Sequence, residues 1–262
     1  PMKRVAVVTG SRAEYGQLRP FLRLARDSRV FDLQLVVAGL HMSSRHGRTV
    51  REIKADGFEI SGHVPMLGRD DSPAETAKAL GRGISEFAGL FGDLRPDLVL
   101  VEGDRVEPLA ATLAAGYMGI PVAHGGGGDV SGTVDNAARH AISHFASLHF
   151  VANEEARQQL ERMGVGGEIH VTGALGIDAI MQRVFPPRET VLESLGLPAD
   201  SRYLLVTFHP ESESPNASGP RMRNILRACL DTGLHMVATL PNSDPGSAAI
   251  IIEIESVRVR NQ

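Results

Sequence analysis

A single cysteine, Cys229, among 262 residues excludes an internal disulfide and suits a reducing compartment. It lies in a helix-like apolar stretch, where a buried structural thiol is expected rather than a nucleophile. No apolar run approaches the roughly 18 residues of a membrane span. The opening "PMKRVAVVTG" enters a strand at once, without the charged and apolar regions of a signal peptide. Basic residues number 27 against 31 acidic ones, a net charge of −4, so no general positive field draws the chain to nucleic acid or an anionic membrane. The turn after the first strand lacks a GxGxxG fingerprint, which argues against a dinucleotide cofactor. His41, His46, His124, His140, His144 and His149 form no HExxH or compact Cys/His pattern, so no metal is expected. Repeats and low-complexity tracts are absent too. The expected protein is cytoplasmic and cofactor-free, with neither nucleic acid nor membrane as a partner.

What is present is ordinary globular material, 42% hydrophobic and 22% charged, arranged in alternating strand-like and helix-like segments. "RVAVVTG" (4–10), "FDLQLVVAG" (31–39), "PDLVLVEGD" (96–104), "IPVAHGG" (120–126) and "SLHFVAN" (147–153) are short apolar runs ending in Gly or polar residues. Runs of this kind suit strands buried on both faces of a parallel sheet. Between them lie amphipathic helices. "SRAEYGQLRPFLRLARDS" opens with a capping box, Ser11 to Glu14, and sets Leu18, Leu22 and Ala25 on one face. After "FPPRETVLESLGLPADS", a linker with a short helix, a second series begins with "RYLLVTFHPES" and shows two clear strands. The pattern predicts an α/β protein. Residues 1–173 are expected to form an N-terminal Rossmann-like domain, and 174–262 a partial C-terminal one.

Ligands of open parallel sheets bind beyond the carboxyl ends of the strands, and the polar signals fall there. "TGSRAEYG" places Arg12 at a helix N-terminus, a setting suited to a diphosphate. "EGDRVE" puts Asp104 and Arg105 at another strand end, as a structural ion pair or as site residues. "VDNAARH" brings Asp135, Arg139 and His140 to the start of a helix, where an N-cap is the simpler role for Asp135. His209 closes the first strand of the second domain, and "LPNSDPGS" adds Asn242, Asp244 and Ser247.

In this order, "TGSRAEYG", "GLH", "GDRVE", "HGGGGDVSGTVDNAARHAIS", "FHPES" and "LPNSDPGS" resemble the hydrolysing UDP-N-acetylglucosamine 2-epimerase family of sialic-acid-type pathways, over nearly the whole chain. The resemblance implies two Rossmann-like domains of glycosyltransferase-B type, the second incomplete in a C-terminally truncated member, working as a homo-oligomer on a UDP-sugar. It implies elimination of UDP to a 2-acetamidoglucal, then addition of water at C1 with reprotonation at C2. By the same resemblance Asp104, Asp129, Asp135 and His209 are catalytic. Arg12, Arg105, His41, Asn242 and Ser247 bind substrate.

Relatives usually read H-I-E-G-G-E or H-I-H-G-G-E where this chain reads "HGGGGD". Gly126 therefore stands in place of a catalytic Glu or His, while Asp129 keeps the second acid. Two functions stay open: a nucleotide-sugar 2-epimerase, and a catalytically impaired binding homologue with a structural or regulatory role. A lost acid–base group costs ~10²–10⁴ in rate.

Overall fold

The computed structural model describes residues 2–28, 30–44, 47–68, 70, 72–131, 134–211, 214–242 and 244–260; His46 lies outside them. The chain divides into two compact units, residues 1–69 with 74–182, and 70–73 with 183–262. Among the described residues no helix is long and apolar enough to cross a membrane.

The first unit is built on one parallel sheet. Its strands are β1 (Arg4–Thr9), β2 (Asp32–Ala38), β3 (Gly62–Val64), β4 (Leu98–Glu102), β5 (Val122–Gly125), β6 (Leu148–Val151) and β7 (Glu168–Val171), in the order β3-β2-β1-β4-β5-β6-β7. The apolar runs become the central strands because both faces of each are covered. Ala6, Val8, Val36, Val99 and Val101 pack on Phe87 and Phe91 of α3 (Pro73–Leu94) and on Ala110 of α4 (Val106–Tyr117). The alternate residues Val5, Val7, Leu35, Val37 and Leu100 meet Tyr15, Leu18 and Leu22 of α1 (Arg12–Ser28) and Ile53 of α2 (Val50–Ala55). Truncating a fully buried side chain such as Leu18 or Phe87 to Ala costs about 2–5 kcal/mol. Three further helices, α5 (Val134–Phe145), α6 (Glu154–Met163) and α7 (Leu175–Met181), complete the unit.

Helix α7 moves the domain boundary. It groups with the first unit, where a Cβ at Gly176 would sit 3.6 Å from Gln17 Cγ of α1, so the division falls after 182 rather than after 173. Strands β3 and β7, not foreseen in the sequence, occupy the two edges of the sheet.

The second unit holds α8 (Arg188–Ser194), a parallel pair β8 (Tyr203–Val206) and β9 (His235–Ala238), α9 (Ser218–Leu230) and α10 (Ser247–Arg260). Val206, Met222, Leu226 and Ile250 form its small core, and the half-buried Cys229 packs against it.

The first sheet changes direction between β1 and β4: the chain runs outward through β2 and β3 on one side and through β5, β6 and β7 on the other. In open parallel sheets the loops leaving the carboxyl ends of the strands part at such a point, and it is there that ligands bind.

Candidate active site

Three sequence motifs meet at the switch point around a residue that sequence reasoning passed over. Glu107, in the first turn of α4, is fully buried and lies against Gly10 after β1 and Gly39 after β2. A Cβ on Gly10 would come within 2.5 Å of Glu107 Cβ, and one on Gly39 would meet Glu107 Oε1. Both glycines therefore make room for one carboxyl. Arg105, the N-cap of α4, brings Nε to 3.6 Å from Glu107 Oε2.

Glu14 lies in the same place. The Ser11 hydroxyl accepts the Glu14 N–H at 3.3 Å, and Glu14 Oε2 accepts the Gly10 N–H at 2.7 Å. The expected capping box thus forms with its return bond one residue early. Burial, reinforced by the like charge of Glu107, pushes the Glu14 carboxyl up to about 8. Arg12 stands on the same helix terminus, mostly exposed, and pairs with Glu52 of α2 at 3.2 Å.

His41 is held inside the unit. It is fully buried in the 3-10 turn after β2, with Nε2 3.0 Å from Thr9 Oγ1 and Nδ1 2.8 Å from Thr49 Oγ1. Burial lowers its pKa to about 4, so the ring is neutral and ties β1 to the segment before α2.

The second group sits at the ends of β4 and β5. Asp104 pairs with Arg139 of α5, which also donates from Nη1 to the Asp129 carbonyl at 2.9 Å. One guanidinium thereby joins the loop after β4 to the loop after β5. Asp129 itself is exposed, and Asp135 lies in the first turn of α5, half-buried. His124 of β5 holds the group from behind: Nε2 lies 2.9 Å from the Gly103 carbonyl and Nδ1 3.0 Å from Ser143 Oγ. Burial lowers its pKa to about 4, and a neutral ring donates on one side and accepts on the other.

The four glycines after His124 answer to different constraints, of neighbours or of backbone. Glu102 is paired in register with Gly125, and a Cβ on Gly125 would fall on Glu102 Oε2. Gly126 has φ +76°, the left-handed region in which a side chain is strained. A Cβ on Gly127 would lie 2.9 Å from Ser143 Oγ and 3.0 Å from His124 Nδ1. Gly128 combines φ +86° with a Cβ position that collides with the Ala156 carbonyl. Glutamate or histidine at 126 would thus need another backbone conformation.

In the second unit His209 is exposed and its Nδ1 accepts the Asn242 N–H at 3.0 Å, which leaves the ring proton of the neutral form on Nε2. Asn242 Nδ2 donates to Asp244 Oδ2 at 2.6 Å, and the buried Ser247, first residue of α10, donates its N–H to the Asp244 carbonyl at 3.0 Å. His209, Asn242 and Ser247 therefore belong to one cluster.

Residues 23–261 match the family described as UDP-N-acetylglucosamine 2-epimerase. A hydrolysing UDP-N,N'-diacetylbacillosamine 2-epimerase of Legionella pneumophila is 39% identical over 250 residues, 95% of this chain and 66% of that protein. A UDP-N-acetylglucosamine 2-epimerase of Neisseria meningitidis is 32% identical over 254 residues, 97% of this chain and 66% of that protein. The chain thus spans about two thirds of the length of the curated relatives it matches. In fold it is similar to a solved Neisseria meningitidis UDP-GlcNAc 2-epimerase bound to UDP-GlcNAc, with a TM-score of 0.75 at 20% identity, over 97% of this chain and 70% of that one. A Methanocaldococcus jannaschii UDP-GlcNAc 2-epimerase in complex with UDP-GlcNAc and UDP gives 0.74 at 17% identity, over 98% and 70%. The expected α/β fold of glycosyltransferase-B type is the one seen.

Proposed function

The chain belongs to the UDP-N-acetylglucosamine 2-epimerase family, and from that premise we propose that it acts as a hydrolysing 2-epimerase, turning UDP-N-acetylglucosamine into N-acetylmannosamine and UDP. The observation that carries the proposal is the convergence of Asp104, Arg139 and Asp129 beside the N-terminus of α5, at the carboxyl ends of β4 and β5. Elimination across C1–C2 needs a base for a weakly acidic C–H and cationic relief for the departing diphosphate. Asp104, Asp129 and Asp135 are the carboxylates assigned to proton traffic. Arg12 and Arg105, at the starts of α1 and α4, are the cations assigned to the diphosphate, where helix N-termini add to their charge. In the second unit His209 is the imidazole assigned to proton traffic, and Asn242 and Ser247 are assigned to substrate binding.

The test is a reaction in D₂O with UDP-N-acetylglucosamine, followed by UDP release and by NMR of the sugar. The expected product is free N-acetylmannosamine with solvent deuterium at C2. Release of UDP without deuterium at C2 would overturn the elimination route. Failure to bind or consume UDP-N-acetylglucosamine, with consumption of UDP-N,N'-diacetylbacillosamine instead, would move the substrate to that of the Legionella relative and keep the chemistry.

A further inference from the structure

Glu102 closes β4 as the one acid of an otherwise apolar strand, "LVLVE". It lies on the same sheet face as Leu100, whose register partner is Ala123; one step along, the partner of Glu102 is Gly125. The side chain turns across that glycine. Its Oε2 occupies the place of a Gly125 Cβ, and its Oε1 lies 3.3 Å from where a Gly126 Cβ would be. Glu102 is 6% exposed, and Oε2 is buried with no hydrogen-bond partner among the described residues. A buried carboxyl oxygen without a partner costs about 1–3 kcal/mol, more if charged. Such a group calls for an explanation, and use of the carboxyl in the site is one.

The geometry points to Glu102 as the proton-donating group of the site, its carboxyl occupying from β4 the space that the glycines leave on β5. The inference rests on the function proposed above. The Glu102 O–H bond breaks and its proton joins C2 of the 2-acetamidoglucal, using the C1=C2 electron pair. Water bonds to C1 and passes one proton to solvent, and the ionised Glu102 recovers a proton from solvent. A donor must be protonated at working pH, and burial, reinforced by Asp104 and Asp129, pushes Glu102 up to about 7. Those two carboxylates are the charged groups that act on it; Arg139 is engaged by Asp104, and His124, directed to the opposite sheet face, is neutral.

The experiment is Glu102→Gln, which keeps shape and removes the proton. The expected result is a ~10²–10⁴-fold fall in kcat, unchanged affinity for UDP, and build-up of the 2-acetamidoglucal as UDP is released. A merely structural role would lower UDP binding and sugar formation together, without the glycal. Carboxyl-labelled NMR of the unsubstituted protein supplies a second measurement, in which Glu102 titrates near neutrality. Full turnover by the Gln variant, or a Glu102 that titrates at an ordinary carboxylate pH, overturns the inference while the 2-epimerase function stands. A parent protein that neither binds nor consumes UDP-linked 2-acetamido sugars overturns both.

Discussion

Replacing His124 by Gln tests the internal frame of the site through pH. The ring is fully buried and bonded on both nitrogens, with a pKa of about 4 against 6.5 for an unburied histidine. Folding therefore excludes a proton that the unfolded chain binds readily below pH 6.5. The stabilisation is complete above that pH and drains away as the pH falls toward 4. At pH 5 nearly every unfolded chain carries this proton and about one folded molecule in ten does, a loss of about 2 kcal/mol relative to pH 7. The substitution has its own cost, because glutamine cannot repeat both imidazole bonds, but that cost does not vary with pH. Urea unfolding of parent and variant at pH 7 and pH 5 separates the two quantities. The gap between the proteins is expected to narrow by about 2 kcal/mol on acidification. A gap that stays constant would mean that His124 titrates normally, and the buried neutral bridge between Gly103 and Ser143 would have to be abandoned.

Gly128→Ala is expected to destabilise by about 1–2 kcal/mol for its left-handed backbone plus a steric cost against the Ala156 carbonyl. Gly164→Ala, with φ +69° and open space around the new methyl, carries the backbone cost alone, so equal losses in urea unfolding would refute the packing. Arg139→Met leaves Asp104 without its cation beside Glu102 and Asp129, and a loss of about 3 kcal/mol is expected in the same assay. Arg12→Ala and Arg105→Ala should each weaken UDP binding by calorimetry, more at low salt than at high salt; unchanged isotherms would leave them as ordinary ion pairs with Glu52 and Glu107.

The central strands were legible because burial on two faces writes a continuous apolar run. Gly62–Val64 and Glu168–Val171 carry no such run, since an edge strand is covered less and keeps polar residues. Motifs at strand ends were likewise legible, and Asp104 does meet the glycine loop, though through Arg139. Glu107 and Glu102 were harder to see. Each is an acid in an apolar setting, and its purpose appears only from the glycines opposite it, at 10 and 39 or at 125. The signal available in "LVLVEGD" was a charge inside a buried run. Gly126 read as a vacated side chain; its positive φ was not visible in the letters.

The overlap of Glu102 with the space above Gly125 makes the order of mutations matter. A large residue at 125 competes with Glu102 for one space, so each is disfavoured while the other is in place. The easier order has glycine at 125 arriving before Glu102 and leaving after it. Gly125→Ile alone should therefore destabilise the fold more than it does beside Glu102→Ala. Sequences carrying both large residues should be rare among the descendants of this chain.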